Sequence, residues 1–143
     1  MRRRGKEGDL PMTATSPSVP GTLASKGSGQ LAEFAWGNIE WLFNAELAPG
    51  AEQTLGYVEI APGEKNPLHA HPNCEELLFL IEGELDHSLE GAVYQMQPGQ
   101  AIRVPAGAKH DARNTSTRTA RMVIIYSDPA RQMVSYEGTT GQE

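Results

Sequence analysis

Residues 63–83 read GEKNPLHAHPNCEELLFLIEG. His69 and His71 are separated by one residue, which on an extended strand puts both side chains on one face, about 6–7 Å apart along the chain. Two imidazoles so placed can bind one metal ion. Pro72 and Asn73 then turn the chain, and residues 77–81, LLFLI, form an apolar run of strand length that opens on Glu76 and closes at Gly83. A neighbouring strand starting at His110 can bring a third imidazole to the same point. Three neutral nitrogens and one carboxylate oxygen form a mixed donor set suited to one divalent ion of Fe, Mn, Ni, Co or Zn, and on an octahedral ion they leave two positions open. A single strand histidine is usually a hydrogen-bonded core or surface residue. A His-x-His pair followed by a spaced Glu is a much rarer coincidence.

Outward from this stretch, short apolar or alternating runs are broken by turn chemistry, with little sustained helical period. Strands are expected at 39–46, 54–60, 68–71, 76–81, 84–89, 93–96, 101–104, 110–114 and 121–127. Pro49-Gly50, Pro62-Gly63, Glu82-Gly83, Glu90-Gly91, Pro98-Gly99 and Pro105-Ala106-Gly107 separate them. Many short strands at near-regular spacing mean an all-β sandwich or barrel. Residues 77–81 and 122–125 are apolar at successive positions, so a second layer is expected on the outer side of that sheet. Either the segment 33–46 folds over it or another subunit does; a homodimer is the expectation.

A second stretch, residues 99–114, reads GQAIRVPAGAKHDARN. Together the two stretches resemble the motifs of the cupin superfamily. The first motif is a glycine, five residues, His-x-His, three or four residues, Glu, six residues and a glycine, met by Gly63, His69, His71, Glu76 and Gly83. The second is a glycine, five residues, Pro-x-Gly, two residues, His, three residues and Asn, met by Gly99, Pro105, Gly107, His110 and Asn114. The resemblance implies a double-stranded β-helix, or jelly-roll barrel, with His69, His71, Glu76 and His110 as metal ligands. Glu75 is the rival carboxylate; Glu76 leaves the six residues before Gly83 that the motif requires. Gly63, Gly83, Gly99 and Gly107 are expected at chain reversals with positive φ, and Asn114 is expected to satisfy backbone groups.

Other residues invite catalytic readings beside structural ones. His87 shares strand parity with Leu85 and Leu89 and is expected to face inward, where burial favours the neutral imidazole; general base, support for a ligand and plain core residue all remain open. Tyr126, like Tyr57 and Tyr94, is a possible proton donor, although tyrosine on a strand is first of all a packing residue. Arg103 can hold a substrate carboxylate through its planar fork if its face lines the cavity. Cys74 is read as an inert small side chain.

The chain has 143 residues, 38% apolar, with 18 acidic and 12 basic side chains and a formal charge of −6, as befits one compact domain. Residues 1–32 are basic, rich in Gly, Ser, Thr and Pro, and are expected to be a disordered tail. Arg2, Arg3 and Arg4 are not followed by the apolar stretch of a secretion signal. Without that segment the balance deepens to −9, from 7 basic and 16 acidic groups. The barrel is expected over 33–130, with a C-terminal tail at 131–143. An acidic domain disfavours nucleic acid as a partner, and nothing approaches a bilayer-spanning apolar run. Cys74, the single cysteine, needs no oxidising compartment, so a cytoplasmic setting is expected. The expected function is non-oxidative, metal-dependent chemistry of isomerase, lyase or cyclase type on a small oxygenated metabolite. A metal-dependent dioxygenase and a non-catalytic metabolite-binding module are the alternatives.

Overall fold

The computed structural model describes residues 21–137, and all regular structure among them is β. Eleven strands follow in order: β1 Gln30–Phe34, β2 Gly37–Phe43, β3 Thr54–Ile60, β4 His69–Ala70, β5 Glu76–Glu82, β6 Leu85–Leu89, β7 Ala92–Met96, β8 Ala101–Val104, β9 His110–Arg113, β10 Ala120–Tyr126 and β11 Val134–Ser135. They form a six-stranded sheet, β1-β2-β3-β10-β5-β8, and a five-stranded sheet, β11-β4-β9-β6-β7. All pairings are antiparallel. The two inner faces enclose one core, as a jelly roll requires.

Strict alternation builds that core. In β3 and β10 every second residue is buried, so Val58 and Ile60 meet Met122 and Ile124 inside while Tyr57 and Val123 face out. In β5, Leu78 and Leu80 point in and Leu77, Phe79 and Ile81 point out, the latter three remaining exposed. The segment 33–46 does not fold over them. It extends the same sheet beyond β3, because β2 pairs edge to edge with β3 from Gly37↔Ile60 to Phe43↔Leu55.

Parts of both expected tails, residues 21–32 and 131–137, belong to the described structure. Residues 1–20 and 138–143 lie outside the described residues, but 21–32 include most of β1, and 131–137 include β11. Glu40, buried on the outer side of β2, accepts hydrogen bonds from the Gly27 and Gly29 amides at 2.7 and 2.6 Å and pairs with Lys26 Nζ at 3.2 Å. Burial opposes ionisation of Glu40, yet these donors outweigh it and lower its pKa. A Cβ on Gly29 would run into the Trp41 carbonyl oxygen, so the close approach needs glycine. A Gly/Ser-rich segment is thus ordered by one distant carboxylate.

Gly63, Gly83, Gly99 and Gly107 have φ of 77, 92, 92 and 81°, as the turn reading requires. Only at Gly83 does space add to conformation, since a Cβ there would lie 2.8 Å from the Ala120 Cα. Asn114 is fully buried and donates to the carbonyls of Ile60 (2.9 Å) and Arg118 (2.7 Å), while its Oδ1 accepts from the Ser116 amide at 2.9 Å. Asn114→Ala strips partners from these buried groups and is expected to lower unfolding stability by about 2–5 kcal/mol, read from the shift in urea midpoint at constant slope.

Candidate metal centre

Strand pairing, not local sequence, brings the fourth donor into place. His69 in β4 is the direct partner of His110 in β9, so two imidazoles face each other across the ladder, with ring centroids 4.1 Å apart. His71 lies two residues on, its ring 4.9 Å from His69 and 5.2 Å from His110. Glu76, at the start of β5, enters from the opposite sheet. One donor atom from each of His69, His71, Glu76 and His110 lies within 4.8 Å of the others, and all four side chains are buried.

The imidazoles are oriented by carbonyls. Nδ1 of His69 donates to Pro67 O (2.6 Å), that of His71 to Gln132 O (2.9 Å) and that of His110 to Ala108 O (2.9 Å). A carbonyl can only accept, so Nδ1 carries the proton and Nε2 of each neutral ring presents its lone pair inward, the tautomer a metal ligand needs. His71 Nε2 is buried with no hydrogen-bond partner. Glu76 Oε1 lies 3.0 Å from His110 Nε2 and 3.5 Å from His71 Nε2. A carboxylate oxygen and neutral-ring lone pairs at such range are acceptors without a donor, unless a ring takes a second proton or a cation sits among them. The donor set therefore fits a divalent ion.

Electrostatics keep the donors in their binding forms. Burial holds the His71 pKa down at about 4, against the pull of Glu76. For Glu76 burial acts upward, but wherever the neighbouring rings take a second proton the hydrogen bond from His110 and the charges of His110, His71 and His69 outweigh it, leaving about 2. His87 in β6 faces inward and is buried, its ring parallel to His110 at 5.8 Å, its Nδ1 without a hydrogen-bond partner and its pKa lowered by burial to about 4. Tyr126 is fully buried, its ring edge-on to His71 at 4.7 Å.

Arg103 is a correction. Val104 pairs with Glu76 and points into the core, which sends Arg103 to the outer face, exposed and ion-paired with Glu75. It does not line the interior, and the same pairing accounts for Glu75, the rival carboxylate, facing away from the histidines. Cys74 is buried in the hydrophobic core, and burial raises its pKa. The role of residues 130–132 was not visible in the sequence: the Gln132 carbonyl holds His71, and Asn73 ties this segment down through Ala130 O (3.0 Å) and the Gln132 amide (2.8 Å).

A jelly-roll barrel whose inner face carries three histidines and a glutamate defines a β-barrel of the cupin type with a candidate metal site. The cupin-domain family model matches residues 56–126, and the chain belongs to the cupins. It is similar to a polyketide synthase protein, CurC, of Streptomyces cyaneus, 29% identical over 64% of this chain and 59% of that protein. It is also similar to germin-like protein 3-7 of Oryza sativa subsp. japonica, 30% identical over 78% of this chain and 58% of the relative. The chain thus spans about three fifths of the length of these curated relatives. Among solved structures, the oxalate decarboxylase formate complex of Lactobacillus farciminis superimposes with a TM-score of 0.71 at 22% identity, over 77% of this chain and 34% of that one; it shares the fold.

Proposed function

We propose that this cupin is a divalent-metal-dependent enzyme that acts on a small oxygenated metabolite by non-oxidative chemistry of isomerase, lyase or cyclase type. The observation that carries the reading is the buried cluster of His69, His71, Glu76 and His110, whose donor atoms converge with their Nδ1 protons already committed to carbonyls. When bound, the ion supplies Lewis-acid polarisation of a substrate oxygen. Glu76, with its low pKa, stays a carboxylate and serves as a ligand, not a proton donor. His87 is neutral at ordinary pH, and its unpartnered Nδ1 can accept a proton beside His110. Tyr126 walls the site against His71. Similarity to the CurC protein supports an enolisable, polyketide-like substrate. The test supplies such ketones to metal-reconstituted protein under anaerobic conditions. Conversion without oxygen is expected. Oxygen uptake on adding substrate to the Fe(II) form, or a raised Tm with no conversion, overturns the reading in favour of a dioxygenase or a binding module respectively.

We also propose that two copies pair through the outer face of the six-stranded sheet. Leu77, Phe79 and Ile81 are 42, 46 and 42% exposed and are flanked by Val123 and Ile125 on the adjacent β10, a continuous apolar face of the kind that a two-fold interface covers. Phe79→Glu is expected to halve the mass in sedimentation while leaving the far-UV spectrum unchanged; a wild type already monomeric at micromolar concentration overturns the pairing. The free, buried Cys74 supports a reducing cytoplasmic setting.

A further inference from the structure

We propose that Arg131 anchors the anionic oxygens of a substrate that chelates the metal, so that the site selects chelators carrying a carboxylate or similar anionic group beyond the chelating pair. The proposal rests on the metal-dependent reading above.

The Arg131 guanidinium lies over two aromatic rings, 4.4 Å from the Trp41 centroid and 5.2 Å from that of Tyr126. Tyr126 in turn meets His71 edge-on, so the cation stands one ring away from a metal ligand. The position is preorganised, because the flanking backbone is bonded to the turn that carries His71: Asn73 holds Ala130 and Gln132, and Gln132 holds the His71 ring. Little ordering remains to be done when a ligand arrives.

The guanidinium is half-buried yet uncommitted. Arg103 and Arg121 each pair with carboxylates, Glu75 for the first and Glu59 and Glu82 for the second. Among the described residues Arg131 has no such partner. A guanidinium stacked through its face still presents N–H donors around its edge, in a fork that matches two carboxylate oxygens. It also cannot lose its charge at ordinary pH. Arg131 and Trp41 also line a groove of about 320 Å³ with Asn44, Glu46 and Thr54, whose lining includes none of the four donors. Glu46 is the acidic residue in that lining, and its carboxylate accepts from Gln30 Nε2 at 3.1 Å instead of meeting Arg131. A permanent cation, rigidly placed, without an acceptor and one aromatic ring away from a metal ligand, fits the recognition of an anion supplied from outside. Arg103, on the outer face, cannot fill this role.

The experiment uses the full chain reconstituted with Co(II) and a matched pair of probes. Malonate and acetylacetonate both chelate through two oxygens in a six-membered ring, but malonate carries outer oxygens where acetylacetonate carries methyl groups. Affinity is read by calorimetry and chelation by the Co(II) visible spectrum. Arg131→Gln is expected to weaken malonate about 10–100-fold and to change acetylacetonate by less than about twofold. Arg131→Lys, which keeps the charge without the fork, is expected to weaken malonate about 3–10-fold, and it carries the test alone if the Gln variant does not fold. Equal malonate affinity in variant and wild type, or equal loss of both probes, overturns the role of Arg131. A wild type that takes up no Co(II) overturns the metal centre itself, an outcome separate from the other two.

Discussion

Replacing His69 and His71 together by Ala is expected to lower bound divalent metal from close to one ion per chain to less than about a tenth, measured by elemental analysis after gentle purification. The double variant keeps only Glu76 and His110 of the four convergent donors. Two donors cannot close a site, and the remaining carboxylate reverts to its contact with His110 at 3.0 Å. The fold should survive, because the strands around the site are held by backbone ladders and by the hydrophobic cluster of the core. Far-UV dichroism of the variant therefore serves as the control. Wild-type protein that holds less than about a tenth of an ion per chain and does not rebind Fe, Mn, Co, Ni or Zn would sink the reading of the centre.

What the chain discloses about this centre depends on how local each feature is. The His-x-His pair states its own parity, so His69 and His71 share a face by strand geometry alone. The turns declare themselves through Gly83 and its counterparts, whose positive φ follows from residue type. The pairing of His69 with His110 is non-local, and no periodicity specifies it; the residues alone allow a strand starting at His110 to reach the same point, and the motif resemblance makes it a ligand. Arg103 was undecidable because its four-residue strand offers two equivalent faces, and only the pairing of Val104 with Glu76 chooses between them. The ordered segment before β1 was hidden for a related reason: Gly, Ser and Thr read as a tail, while the carboxylate that fastens them, Glu40, lies 11 and 13 residues away. The segment that carries Arg131 has no pattern of its own, and β11 after it spans two residues, too few to mark it.

Metal-free protein is expected to lose stability steadily as pH falls from about 6.5 to about 4. The cause is burial, which lowers the pKa of His71 and of His87 to about 4 from an ordinary 6.5. Between those values the unfolded chain takes up protons on both side chains and the folded chain does not, so the unfolded state is favoured by acid. Above pH 6.5 both states are neutral at these positions, and the native advantage is complete. Glu76 adds the same sign at lower pH, since its folded pKa of about 2 lies below the ordinary 4.5; its stabilisation is present above pH 4.5 and disappears as pH drops toward 2. Each histidine shift corresponds to roughly 3 kcal/mol at its limit. His87 isolates one of these contributions without touching the four donors. His87→Phe, which keeps a flat apolar ring between Leu85 and Leu89, should remove about half of the histidine-driven slope between pH 6.5 and 4, seen as a smaller fall in urea midpoint across that window. A midpoint equally steep in wild type and variant would mean that His87 is solvated and free to protonate, and with that its standing as a neutral proton acceptor beside His110 would be lost.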